Sequence, residues 1–258
     1  MATERLMGTY EWCEAERKAL SWAEKLALVK MLVLAELRDR IERSPFGSSM
    51  RRRAHSIAAS VELGPPDSKL CSDARACADA KLSEPLLLHS LRTYQFGVAL
   101  AAVDQHSVDR ELLFVASMFH DFGLAPEDRS TLGATCFATE GAREGAAFVR
   151  KQGLDSRRER AVYEAISLHL HPRIDVSSHG AEARYLADGA TLDVIGARRH
   201  LLPEPVLAEV HSAFPRRGFR DEILSGMRVP HAPGTRAAFL LGLGFASLAA
   251  KCPLDETP

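Results

Sequence analysis

The sequence predicts an all-α protein built as a single helical bundle, on three observations. Between Glu14 and about Glu42, the residues Trp22, Leu26, Val29, Val33 and Leu37 recur at steps of three and four, the period of an amphipathic helix. No alternating, β-branched run is long enough for a central strand. Helix stops and starts punctuate the whole chain, with neither an internal repeat nor a low-complexity linker.

Each element follows from these signals. Ser44-Pro45-Phe46-Gly47 ends the first long helix, and helical material from Ser49 runs to the Gly64-Pro65-Pro66 break. Asp67 or Ser68 caps the next helix. Pro85 suits the first turn of a helix that carries His89 and runs to about Asp104. Gly123 to Pro126 breaks the apolar helix before it, and residues 127–138 read as a loop. Thr139 is placed to cap a helix ending at Gly153. Ser156-Arg157-Arg158-Glu159 reads as a capping box for a helix through Val162, Ile166 and His169, stopped by Pro172. Further helices are expected over about 180–198, 203–213, 219–227 and 235–250. The result is one structural domain, in which an N-terminal helical segment (1–64) packs on a helical core (65–258).

Composition narrows the function. With 46% apolar and 26% charged residues the chain is an ordinary globular protein. A formal net charge of −1 argues against a general nucleic-acid binder, and Arg51-Arg52-Arg53 reads as a solvated helix face. The five cysteines, Cys13, Cys71, Cys77, Cys136 and Cys252, form no Cys-x-x-Cys pair and fit free thiols in a reducing compartment. The N-terminus lacks the order of a signal peptide, and the apolar stretch Ala237–Ala250 is too short for a membrane span. A soluble, cytoplasmic protein without a membrane or nucleic-acid partner is expected. The N-terminal apolar stripe suits either its own bundle or a second copy of the chain.

The chemistry concentrates in a few polar residues. His120-Asp121 closes the apolar run Leu112–Phe119, where an uncompensated carboxylate is costly and a divalent ion is the usual compensation. His89 lies one helix earlier. Two imidazoles and a carboxylate suit one zinc, iron or manganese ion, zinc first, and a further carboxylate usually completes the set. Asp193, among apolar neighbours, is favoured for that place over Asp188 beside Gly189. His169 is expected to line the pocket, carry protons or bind a second metal, whereas His171 reads as a structural histidine, either hydrogen-bonded in the core or placed at a helix end where its charge suits the dipole. Arg92, one turn after His89, either holds an anionic group or orients Asp193. Tyr94 reads as a packed aromatic with a satisfied hydroxyl, and Cys136 as a small, partly buried residue.

Several segments together resemble the cyanamide-hydratase-like branch of the HD superfamily. They are Pro66-Asp67-Ser68, His89-Ser90-Leu91-Arg92-Thr93-Tyr94 with Phe96-Gly97, and Glu111-Leu112-Leu113 through Phe119-His120-Asp121-Phe122-Gly123-Leu124. Phe137–Ala142, Ala165-Ile166 with Leu168-His169, and Leu192-Asp193-Val194-Ile195-Gly196 follow in order. The resemblance spans roughly residues 65–220. It implies an HD-type bundle with a central metal held by His89, His120, Asp121 and Asp193. Two departures bear on the reaction. Phe137 is followed by Ala138-Thr139 where some members carry a glutamate, which weighs against cyanamide itself. No histidine lies between Asp121 and His169, which weighs against a di-iron oxygenase.

Three functions are compatible with these residues. The first is a one-metal hydratase or hydrolase acting on a small nitrile- or amide-like molecule, with Asp121 or His169 handling the proton and Arg92 in support. The second is a phosphohydrolase acting on a nucleotide or small phosphate ester, using Arg92, Arg143, Arg157 and Arg158 as cations; no Walker-type loop accompanies them. The third is a non-catalytic binding module with a structural metal.

Overall fold

The computed structural model describes residues 6–15, 19–125 and 134–256. Among the described residues the protein is all-helical, with short 3-10 turns and no strand. In chain order the helices are α1 (Tyr10–Cys13), α2 (Trp22–Arg43), α3 (Ser48–Ala58), α4 (Lys69–Lys81), α5 (Glu84–Val103), α6 (Arg110–Phe119) and α7 (Phe137–Lys151). There follow α8 (Ser156–Leu168), α9 (Val176–His179), α10 (Ala181–Ile195), α11 (Glu204–Ala213), α12 (Phe219–Arg228), α13 (Arg236–Gly242) and α14 (Phe245–Ala249). No single described helix is long and apolar enough to cross a membrane.

Local chemistry sets most helix starts. Ser21 and Glu24 form a reciprocal capping box on α2. Ser68 Oγ accepts from the Cys71 amide at 3.3 Å, which settles the choice between Asp67 and Ser68. Asp109 accepts from the Glu111 and Leu112 amides, both at 3.1 Å, and starts α6.

Several helix bounds differ from the sequence reading, among them the start of α2, which lies at Trp22 rather than near Glu14. The helix opening at Ser156 is capped by Asp155, which accepts from the Arg158 amide at 2.9 Å, so the expected Ser156–Glu159 box does not form. α7 begins at Phe137 rather than after Thr139, because the Thr139 amide already bonds the Cys136 carbonyl at 2.8 Å. The loop expected over 127–138 therefore ends earlier, and residues 127–133 of it lie outside the described residues. The long helix expected over 235–250 is divided into α13 and α14 at Gly244, whose φ of +95° is closed to a helical residue.

The core centres on α5, buried along most of its length and packed most extensively against α10. Two glycines allow these backbones to touch. A Cβ at Gly97 would lie 2.7 Å from the Tyr185 carbonyl oxygen, and one at Gly189 would run into the Thr93 carbonyl. Gly97→Ala is expected to destabilise the protein by about 1–3 kcal/mol through forced separation of the two helices. Chemical denaturation measures this directly, and an unchanged midpoint would mean that the α5–α10 contact yields at no cost.

α2 departs from expectation in its orientation. Leu28 is fully buried, but the stripe read as its core face is outward: Trp22 is 85% exposed, Leu26 66% and Val33 53%. A second apolar row, Leu28, Leu32 and Ala35, lies inward or half-buried instead. With apolar residues on both sides, periodicity alone does not choose the buried face. Arg51, from the basic run, donates to the carbonyls of Glu42 and Ser44, tying the start of α3 to the end of α2.

Candidate metal centre

Helix ends bring the polar residues together. α6 stops at Phe119, His120 keeps helical backbone angles, and Asp121 turns out of the helix at φ −107°, ψ 15°. This break lets adjacent side chains converge instead of diverging by the roughly 100° of a continuous helix. His89 comes from the second turn of α5, and His169 follows the last residue of α8. All four side chains are buried.

Their hydrogen bonds define which ring atoms face inward. His120 Nδ1 donates to the Ser117 carbonyl at 2.7 Å, and His169 Nδ1 donates to the Ile166 carbonyl at 2.6 Å. His89 Nδ1 donates to Asp193 Oδ2 at 2.7 Å. Each ring, when neutral, then turns an Nε2 lone pair inward. His89 Nε2 and His120 Nε2 lie 3.2 Å apart, and Asp121 Oδ2 lies 3.5 Å and 3.4 Å from them. His169 Nε2 is 3.9 Å from the other oxygen, Asp121 Oδ1.

Burial holds the His120 pKa below the ordinary histidine value, although Asp121 pulls the other way. For His169, burial and the neighbouring His120 push it down to about 3. Converging lone pairs beside a carboxylate repel one another unless a cation joins them. His89, His120 and Asp121 therefore form a buried His/His/Asp cluster able to coordinate a divalent metal.

Asp193 stands elsewhere. It is fully buried on α10, on the far side of the His89 ring, and both of its oxygens are engaged. Arg92 Nε and Nη2 donate to Oδ1 and Oδ2, each at 2.9 Å, and Arg216 also donates to Oδ1. Burial opposes ionisation, yet Arg92, Arg216 and His89 together hold this carboxyl far below the ordinary aspartate range. Asp193, expected as the fourth ligand, does not join the cluster here: it holds His89 Nδ1, the place a carboxylate takes when it fixes a metal-binding imidazole. Arg92 is likewise turned from the pocket. Of its two expected roles it takes the orienting one, with Nη1 spent on the Pro215 carbonyl at 2.9 Å.

Sequence reasoning missed Arg216 and Phe219. Arg216 also pairs with Asp255 at 2.7 Å, and the Phe219 ring stacks on His89 with centroids 4.6 Å apart. The one available signal was indirect: a buried Asp193 requires cations, and one guanidinium beside two carboxylate oxygens and a histidine leaves room for another.

The remaining candidates have structural places. Asp188 pairs with Arg184 at 2.7 Å and Arg198 at 2.6 Å. His171 is buried and accepts from Arg236 Nη1 at 3.4 Å; burial, then Arg236, keeps its pKa well below the ordinary value, so it is not a charged helix-end histidine. Tyr94 hydroxyl donates to the Gly64 carbonyl and accepts from Arg110, as a packed aromatic should. Arg143 pairs with Glu14 and Glu140 near the surface. The five cysteines are free thiols, and Cys136 is partly buried.

The cluster opens on a cavity of about 340 Å³. Leu124, Phe137 and His169 flank it, and α12 contributes Ile223, Gly226 and Met227. Phe137 and His169 have ring centroids 5.6 Å apart, which ties the apolar wall to the cluster.

Comparison with known proteins meets this geometry. Residues 86–192 match the HD-domain family model. The matched segment contains His89, His120, Asp121 and His169, and ends one residue short of Asp193. The chain is also similar to two proteins of Saccharomyces cerevisiae, the cyanamide hydratases DDI2 and DDI3. Each is 29% identical over 161 residues, covering 59% of this chain and 68% of the relative. An HD-domain, metal-binding fold with this triad supports a metal-dependent hydrolase or hydro-lyase function.

Proposed function

We propose that the protein is a one-metal hydratase or hydrolase adding water to a small nitrile- or amide-like molecule. The observation that supports this most is the pairing of the His89–His120–Asp121 cluster with a fourth, uncommitted lone pair at His169 Nε2. In this reading the three residues of the cluster hold the ion, and Asp193 holds His89. A divalent ion bound there supplies Lewis acidity, lowering the pKa of water toward neutrality and polarising an electrophilic carbon.

The chain's own residues do the rest. His169 Nε2 takes the proton released as the water oxygen bonds to carbon, and returns it to the substrate nitrogen. Burial disfavours the charged imidazolium at His169, so a proton it takes up is readily passed on. Asp121 Oδ1, 3.9 Å away, favours the transient imidazolium. Arg92 and Arg216 keep Asp193 ionised and so keep His89 in one tautomer.

Similarity to the two cyanamide hydratases favours hydration over phosphate-ester cleavage, and so does the commitment of Arg92 to Asp193. His169→Gln is expected to lower turnover by about 10²–10⁴-fold with metal content unchanged. A panel of nitriles, amides and phosphate esters, assayed with elemental analysis of both proteins, tests this. Phosphate-ester turnover alone would overturn it, as would an unimpaired His169→Gln variant.

A further inference from the structure

We propose that the molecule acted on at this site is neutral and carries an apolar body larger than cyanamide, its tail lying in the space left open by Gly226. The reactive group rests on the hydratase or hydrolase reading above, whereas the apolar body rests on the cavity alone.

A volume of about 340 Å³ falls within the range of pockets that enclose drug-sized ligands. A molecule of cyanamide's size would leave most of it as water against Leu124, Phe137, Val194, Ile223 and Met227. Of the five arginines in the lining, four are paired with carboxylates. Arg38 pairs with Glu42 at 2.5 Å, Arg43 with Asp39 at 2.8 Å, and Arg184 and Arg198 both pair with Asp188. Arg173, the remaining arginine of the lining, is exposed. A phosphate buried among the paired arginines would have to draw a guanidinium away from its carboxylate, at the cost of stranding that carboxylate. An uncharged ligand meets no such obstacle.

Gly226 shows where the tail goes. It is buried inside α12, without the positive φ that makes glycine necessary elsewhere in the chain. Among the described residues a Cβ there would meet only Leu124 Cδ2, at 3.9 Å, an ordinary contact. Gly97 is different, since a carbonyl blocks its Cβ. Neither the backbone nor the packing of the described residues asks for glycine at 226, and glycine weakens a helix interior relative to alanine. What its missing side chain provides is room in the cavity wall, between Ile223 one turn back and the adjacent Met227. Phe219, on the same helix, stacks on His89, so α12 runs from the metal cluster along this space.

The test is calorimetric titration of the metal-containing protein with primary amides from acetamide to heptanamide, and with phenyl phosphate. The same titrations are made on Gly226→Ala and Gly226→Leu. Affinity is expected to rise about fourfold per methylene until the cavity is filled. Gly226→Leu should bind the longest amide at least tenfold more weakly and acetamide as before. Gly226→Ala should raise the melting temperature by about 2–4 °C and shorten the series only slightly.

A wild-type series without chain-length dependence overturns the proposal, as does phenyl phosphate binding more tightly than every amide. So does an unchanged slope in Gly226→Leu; if that variant does not fold by circular dichroism, the wild-type series and Gly226→Ala decide alone. Turnover of the matching nitriles separates the two claims. A steep chain-length dependence with no hydration removes the proposed reaction and leaves the ligand class standing. Hydration without chain-length dependence does the reverse.

Discussion

His120→Ala is expected to purify without bound metal, whereas the wild-type protein carries about one zinc, iron or manganese ion per chain. The substitution deletes one of three converging donors, leaving His89 Nε2 and Asp121 Oδ2, 3.5 Å apart, as an incomplete set. A bound ion present at about a hundred times its dissociation constant stabilises the folded state by about 2.7 kcal/mol. Chelation should therefore lower the wild-type melting temperature by about 5–10 °C. The variant should show no response to chelator and no measurable turnover. His120→Ala retaining a full equivalent of metal would remove the cluster as the binding site. Wild-type protein free of metal even after reconstitution would remove the catalytic reading as well.

The second large effect is expected at Asp193. Asp193→Asn keeps the volume of the side chain but leaves the guanidiniums of Arg92 and Arg216 without their shared carboxylate. All of these groups are largely or wholly buried. Breaking such a network from one side costs about 3–5 kcal/mol. It also frees the tautomer of His89, for which a loss of about 10–100-fold in metal affinity is expected.

The pH dependence has a definite sign. Because the folded-state pKa of Asp193 is depressed, its stabilisation is complete above the unfolded value of about 3.9 and fades as pH falls below it. The stability gap between wild type and Asp193→Asn should therefore be widest near neutrality and close on acidification. Denaturant titrations at several pH values, combined with metal competition, measure both effects. Complete metal loss with unchanged stability would instead make Asp193 a direct ligand.

Much of the fold was legible in the chain. The helices around the site came from apolar spacing, Pro and Gly breaks and capping residues, all local signals written within a few residues of their effect. His89, His120 and Asp121 were legible for a related reason. A polar pair ending a wholly apolar run has few inexpensive environments, and a metal is one of them. The roles of Asp193 and Arg92 were only half legible. A buried carboxylate among apolar neighbours announces that something compensates it, but an ion and a pair of guanidiniums compensate equally well.

What the sequence by itself determined, then, is an all-helical chain with a His/His/Asp set within and at the ends of apolar helices, because local periodicity and the cost of buried charge act through near neighbours. Tertiary structure alone decided the rest. Arg216 reaches Asp193 from outside its helix and, with Arg92 and His89, engages both of its oxygens. One of two apolar faces of α2 was turned to solvent. Gly226 was set in the cavity wall and Gly97 against a carbonyl, though both are simply glycines within helices. Each of these outcomes depends on which surfaces meet across long separations in the chain, and no short-range pattern encodes that.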